Sequence, residues 1–354
     1  MNFSLSKHML DATRLTRSGN LMKATAVLQR SLSSGAGGTT EGEQEPALTI
    51  DGVAVDLMDA PAAVRDRDAR GGRSQFLTRS YAGGSGGHGY KLYVPSGYHG
   101  QAVPLVVMLH GCLQSPDDFA AGTRMNEAAE ASNFLVAYPS QTAAANMQKC
   151  WNWFRTGDQR RDAGEPLLLA GITREVMADY AVDARRVFIA GFSAGGAAAA
   201  IMGQAYSELF AAIGVHSGLA CGAAHDMGSA LAAMHGTGAA PSKAGNGPPG
   251  RIVPSIIFHG DSDNTVRAGN AEHVAMQSAA GALAMQTESG RFADGMRYSR
   301  TLYVDVGGRA VVEKWMVHGA GHAWFGGSPA GSYTLARGPD ATAEMVRFFM
   351  SQPA

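Results

Sequence analysis

The sequence predicts an α/β fold: a mostly parallel, eight-stranded sheet with helices on both faces and a short helical extension at the N-terminus. Three observations predict it. Short, continuously apolar runs recur along the chain, as in strands buried on both faces of a parallel sheet. Helical segments fall between most of them, and that alternation is the pattern of a doubly wound sheet. One apolar run ends in a Gly-rich turn that leads straight into a helix.

In chain order, residues 4–32 read as two short helices. Leu21, Thr25, Leu28 and Leu32 recur at helical spacing, and Ser18-Gly19-Asn20 separates this run from the one before. A hairpin that docks on the main domain or mediates self-association is the plain expectation. The sharper one is an amphipathic segment lying on a hydrophobic granule or membrane surface. Residues 33–46 have the composition of a flexible linker, and residues 60–75 that of a solvated loop. The expected organisation is therefore an extension over 1–32, a linker and surface loop over 33–74, and one α/β domain over 75–354.

The expected strands are 76–81, 90–94, 105–109, 134–138, 186–190, 211–216, 255–259 and 313–318. The first two have only a Gly-rich tip between them, Gly83 to Gly89, so the sheet should begin with an antiparallel hairpin. The expected helices are 117–131, 166–180, 196–209, 269–285 and 339–351. The stretch 236–250 reads as a second flexible insertion.

Apolar residues make up 45% of the 354-residue chain and charged residues 17%, which suits a sizeable core. The net charge of −1 gives no basic field for nucleic acid. No apolar run approaches the ~20 residues of a membrane span. Arg14, Arg17, Lys23 and Arg30 interrupt any apolar core of a leader segment, so the expectation is a cytoplasmic protein, or one exported by a non-standard route. The three cysteines, Cys112, Cys150 and Cys221, lack metal-site spacing. Without a leader they read as free thiols. No metal and no cofactor are expected.

The turn after strand 186–190 is Gly191-Phe192-Ser193-Ala194-Gly195, a G-x-S-x-G pentapeptide between strand and helix. A serine on so sharp a turn is held in a strained backbone with its hydroxyl pushed out of the sheet. The flanking glycines leave room where a Cβ would clash. This is the nucleophile elbow of the α/β-hydrolase fold. A serine hydroxyl is a poor nucleophile until a base takes its proton, and a carboxylate must orient that base. The fold supplies them in the order Ser, acid, His, each at the end of a later strand. Strand 255–259 runs into Gly260-Asp261-Ser262-Asp263, and strand 313–318 into Gly319-Ala320-Gly321-His322. Asp263, further past its strand, is favoured over Asp261, which is expected to cap its own turn. His322, in a Gly-flanked loop, is favoured over His318. His318 and His259 are expected to bond neighbouring backbone. The oxyanion donors should be the backbone N–H groups of Ala194 and of Cys112 in His110-Gly111-Cys112, with His110 holding the loop.

The set Leu109-His110-Gly111-Cys112, Cys150-Trp151-Asn152-Trp153-Phe154, Gly191-Phe192-Ser193-Ala194-Gly195-Gly196, His216-Ser217-Gly218, His259-Gly260-Asp261-Ser262-Asp263 and Gly321-His322-Ala323-Trp324 resembles the polyhydroxybutyrate depolymerase family of esterases over roughly residues 75–350. That family also holds feruloyl and acetylxylan esterases. The resemblance implies a triad of Ser193, Asp263 and His322, an oxyanion donor at Cys112, and a Cys112–Cys150 disulfide. The disulfide is at odds with a reducing cytoplasm. Cys221 departs from the family pattern, which often has an aromatic there, and is expected near the mouth of the site. Trp151, Trp153 and Trp324 all lie in motif loops and are expected to include an exposed substrate contact, Trp151 or Trp153 ahead of Trp324. The activity expected is hydrolysis of short-chain hydroxyalkanoate polyester through an acyl-enzyme. The alternatives are a feruloyl or acetylxylan esterase, and a granule-surface protein without significant catalysis.

Overall fold

The strand Val103–Leu109 (β3) shows how this sequence builds its sheet. All seven of its residues are buried. Leu105, Val107 and Leu109 pack into one apolar layer, while Val106 and Met108 pack into another on the opposite face. A period-two chain with two buried faces must be apolar throughout, which is why the run looks uninterrupted in sequence. The description comes from a computed structural model and covers residues 72–83, 88–238, 253–279 and 284–353. The helical extension expected over 1–32, most of the following linker and most of the 236–250 insertion lie outside the described residues.

The other strands are Gln75–Tyr81 (β1), His88–Val94 (β2), Leu135–Pro139 (β4), Val182–Phe192 (β5), Ala212–His216 (β6), Ser255–Gly260 (β7), Ala284–Arg291 (β8), Arg297–Val304 (β9), Ala310–His318 (β10), and a small pair, Trp324–Phe325 (β11) and Thr334–Leu335 (β12). The main sheet among the described residues has ten strands in the order β1-β2-β4-β3-β5-β6-β7-β10-β9-β8. From β4 to β10 the neighbours are parallel. β1 and β2 form the expected antiparallel hairpin, and β2 joins β4 antiparallel.

The helices are Pro116–Thr123 (α1), Met125–Ser132 (α2), Gly164–Asp179 (α3), Ala194–Ala205 (α4), Met227–Met234 (α5), Gly269–Ser278 (α6) and Ala341–Met350 (α7). Leu169, Ile172 and Val176 of α3 and the alanines of α4 fill one layer. Phe119 of α1, Ala129 of α2 and Phe348 and Phe349 of α7 fill the other. Helices thus cover both faces, as expected.

The expected eight strands are all present, but the sheet is wider. β8 and β9 form an antiparallel edge hairpin that continues from β10. Seven of the eight residues of β8 are exposed, so it carries no apolar pattern by which to recognise it. The helix expected over 269–285 stops at Ser278, and by Ala284 the chain is already in a strand. The helix expected over 117–131 is broken at Arg124, whose left-handed backbone (φ 55°) ends α1 and starts α2. No described helix is long and apolar enough to cross a membrane.

Candidate active site

β5 ends at Phe192 and α4 begins at Ala194, so Ser193 alone makes the turn between them. Its backbone has φ 56° and ψ −118°, outside the regions a serine ordinarily occupies. The flanking glycines are required by space. A Cβ on Gly191 would lie 2.2 Å from the Gly195 carbonyl oxygen, and one on Gly195 would lie 2.0 Å from that of Leu109. Ser193 N–H donates to the carbonyl of His216 on the neighbouring strand (2.9 Å), which fixes the turn against β6.

The loops after β7 and β10 bring Asp263 and His322 to this turn. His322 Nε2 is 2.9 Å from Ser193 Oγ, and His322 Nδ1 is 2.7 Å from Asp263 Oδ2. An ionised carboxylate has no proton to give, so Nδ1–H donates and Nε2 is left to accept from the serine hydroxyl. Asp263 is 1% exposed. Burial works against its charge, but the His322 bond, the nearby His322 and His259 rings and the Val266 N–H outweigh it and hold the pKa below its ordinary value. Its Oδ1 accepts from the N–H groups of Thr265 and Val266, both at 2.9 Å. His259 is buried and donates from Nε2 to the Val266 carbonyl (2.8 Å), as a structural histidine should.

The elbow packs directly on the loop after β3. Besides the Gly195 contact with Leu109, a Cβ on Gly111 would meet the Phe192 ring at 2.9 Å. Phe192, the first of the two variable residues of the pentapeptide, lies 4.8 Å from the His322 ring, centroid to centroid. In the loop, Leu113 N–H donates to Gln148 O (2.7 Å), Gln114 N–H to Gly111 O (3.3 Å) and Gly111 N–H to Gln114 Oε1 (2.9 Å). Ala194 opens α4, where a helix leaves its N–H groups without carbonyl partners. His110 plays its expected role: Nδ1 bonds Gly111 O (2.8 Å) and Nε2 accepts Gln141 N–H (3.1 Å). Burial pushes its pKa down to about 4, so it stays neutral.

Cys112 and Cys150 form a disulfide that ties this loop to the Trp151–Phe154 segment. Cys221 is free and buried, and burial pushes its thiol up to about 12, so the side chain itself presents no exposed surface to a substrate.

The tryptophans correct a second expectation. Trp151 and Trp324 are 0% and 1% exposed, and Trp153 is 6% exposed. Trp151 Nε1–H donates to the His110 carbonyl (3.1 Å), and Trp324 Nε1–H to Thr342 Oγ1 (3.1 Å). Each indole has found an internal acceptor, which lets it bury completely. Trp153 packs edge-on against Phe154. None stands exposed to grip an ester chain; they build the loops instead.

The family model described as "Esterase PHB depolymerase" matches residues 88–297, from β2 through Ser193 and Asp263 to the start of β9. The chain belongs to the PHB depolymerase esterase family. Among curated relatives, the poly(3-hydroxyalkanoate) depolymerase C of Paucimonas lemoignei is 32% identical over 65% of this chain and 57% of its own length. Feruloyl esterase B of Neurospora crassa is 30% identical over 46% of this chain and 59% of its own. The poly(3-hydroxybutyrate) depolymerase of Ralstonia pickettii is 28% identical over 64% and 48%. The chain thus spans roughly half to three-fifths of these relatives. The solved acetyl xylan esterase of Aspergillus awamori shares the α/β-hydrolase fold, with a TM-score of 0.60 at 21% identity over 71% of this chain and 94% of its own.

Two side-chain arrangements in this family member escape sequence reasoning. Asp261 does not cap its own turn. Its carboxylate takes His318 Nδ1 (2.9 Å) and Gly319 N–H (2.7 Å), both from the end of β10 and the turn after it. His318 accordingly bonds side chains rather than neighbouring backbone. Glu165, at the start of α3, holds the tryptophan loop from behind: it accepts from Asn152 N–H (2.8 Å), Asn152 Nδ2 (2.7 Å) and Gln141 Nε2 (2.5 Å). A cavity of about 610 Å³ opens there, lined among others by Tyr81, Gln141, Arg155, Glu165 and Leu168; Ser193 and His322 do not line it. The adjacency of β7 and β10 could have flagged the Asp261–His318 pair, since both side chains sit where those strands end. Nothing local marks Glu165.

Proposed function

We propose that this chain is a serine esterase that cleaves short-chain polyhydroxyalkanoate, polyhydroxybutyrate above all, through an acyl-enzyme. The observation that carries the reading is the unbroken relay from Asp263 through His322 to Ser193 Oγ at 2.7 and 2.9 Å. His322 takes the serine proton as Oγ attacks the ester carbonyl. The N–H groups of Ala194 and Cys112 receive the developing oxyanion; one such donor is worth about 3 kcal/mol of transition-state stabilisation. His322 then protonates the departing alcohol and afterwards activates the water that releases the acid. Asp263 holds the imidazole in the required tautomer throughout.

The polyester substrate is favoured by the hydroxyalkanoate depolymerase relative, whose match covers more of this chain than the feruloyl esterase match. The disulfide favours an oxidising compartment, reached by export, over the cytoplasm. A granule-binding role for residues 1–32 rests on their spacing of apolar residues alone.

The deciding experiment compares wild type and Ser193→Ala on a short p-nitrophenyl ester, a polyhydroxybutyrate emulsion and methyl ferulate. The expected result is clearing of the emulsion by wild type, little ferulate hydrolysis, and loss of all activity in the variant. Ferulate hydrolysis without clearing would move the substrate to the plant-wall esters. Wild-type activity in Ser193→Ala would overturn the nucleophile. Co-sedimentation of Ser193→Ala with polymer granules, with and without residues 1–45, tests the granule role.

A further inference from the structure

The loops that carry Asp263 and His322 are joined by a second carboxylate–imidazole pair. Asp261 Oδ2 bonds His318 Nδ1 at 2.9 Å, and His318 Nε2 meets Ser299 Oγ on β9 at 3.0 Å. Aspartate, histidine and serine thus follow one another as in Asp263–His322–Ser193, with the acid two residues earlier and the histidine four residues earlier in the same two segments. Ser299 is not a second nucleophile. It sits within the regular β9–β10 register opposite Met316, on no elbow.

The geometry of the intervening turn gives the pair something to do. Gly319, Ala320 and Gly321 separate His318 from His322. Gly319 has φ 81°, and no atom lies near the place of a Cβ on Gly319 or Gly321, so packing at these two positions does little to restrain the turn. Ala320 between them is buried and its carbonyl packs against Gly260, and bonds to the loop after β7 hold the rest of the turn. Asp261 Oδ1 accepts the Gly319 N–H (2.7 Å), and Ser262 N–H donates to Ala320 O (3.0 Å). Burial opposes charge on Asp261, but the Gly319 and His318 bonds outweigh it and keep the carboxyl below its ordinary range. The pair is partly exposed, with side-chain exposures of 33% for His318 and 40% for Asp261. So open a pair adds little to global stability.

We propose that Asp261 and His318, braced on Ser299, are positioning residues that fix the Gly319–Gly321 turn and so set where His322 meets Ser193. The inference rests on the reading of Ser193 and His322 as nucleophile and base. A displacement of the base by about 1 Å is enough to cost on the order of 100-fold in rate.

The test counts working sites separately from their speed. A fluorophosphonate that labels the active serine stoichiometrically gives the number of competent sites, and the short p-nitrophenyl ester gives kcat and KM per site. Asp261→Ala and His318→Ala are expected to label fully, with KM within about twofold of wild type and kcat per site lower by about 10- to 100-fold. His318→Asn keeps a donor at the Nδ1 position and is expected to recover most of the rate. His318→Gln reaches only towards Ser299 and is not. Loss of labelled sites with an unchanged rate per site would show a purely structural pair and overturn the proposal, as would wild-type kcat in both alanine variants. Undiminished labelling of Ser193→Ala would instead strike the parent reading, leaving the two failures distinct.

Discussion

The indole Nε1–H of Trp151 donates to the main-chain carbonyl of His110 at 3.1 Å, across 41 residues of chain. The bond ties the segment after Cys150 to the loop that carries Cys112. Trp151→Phe removes the donor and leaves that buried carbonyl unpaired, at a cost of about 1–3 kcal/mol, plus whatever cavity the smaller ring leaves. The expected result is a lower urea midpoint with KM for a short ester unchanged. A several-fold rise in KM at unchanged stability would restore a substrate contact to Trp151.

The disulfide closes a loop with a sequence separation of 38. Chain-entropy arithmetic for a loop of that length gives about 4 kcal/mol of stabilisation. Thiol titration of the denatured, unreduced protein should find one thiol, Cys221, and three after reduction. Reduction should also lower kcat, because the bridge anchors the loop bearing the Cys112 N–H. An unreduced count of three would mean that the bridge does not form.

Asp263→Asn keeps an oxygen for the Thr265 and Val266 N–H groups but replaces the charged acceptor of the His322 proton. The imidazole then loses its preferred tautomer. The expected fall in kcat is about 10⁴-fold with KM changed little. Steady-state kinetics on the short ester check this, and a fall of less than about 10-fold would mean that the carboxylate does not orient the base.

Glu165 makes stability depend on pH in a definite direction. Burial and the neighbouring Asp158 charge push its carboxyl up to about 7 from 4.5, against the bonds from Asn152 and Gln141. Between those values the folded chain keeps a proton that the unfolded chain has released. Its contribution is therefore fully present below the unfolded value and is lost as pH rises through about 7. The loss amounts to about 3 kcal/mol at most. Urea midpoints of wild type and Glu165→Gln, measured at acid and mildly alkaline pH, should show a smaller decline with rising pH in the variant. Parallel pH profiles would assign the proton elsewhere.

The parallel core of the sheet was legible because burial on both faces writes a continuous apolar run, as in β3. The elbow and the chain order of Ser193, Asp263 and His322 were legible because each sits where such a run stops. β8 was not, since an exposed edge strand has no core face to mark it. The tryptophans were misplaced for a different reason. Their apolar bodies and motif positions fit a substrate wall as well as a core, and what decides is the acceptor for the indole N–H. For Trp151 and Trp324 that acceptor is His110 O or Thr342 Oγ1, distant in sequence. Asp261 was misread likewise, because its partners belong to the adjacent strand's end rather than to its own turn.

The ring of Phe192 touches both halves of the site: the Gly111 backbone beneath the proposed oxyanion donor, and the imidazole of His322. Donor loop and base thus share one aromatic neighbour, so a change in the size of that ring would be felt at both ends of the reaction at once.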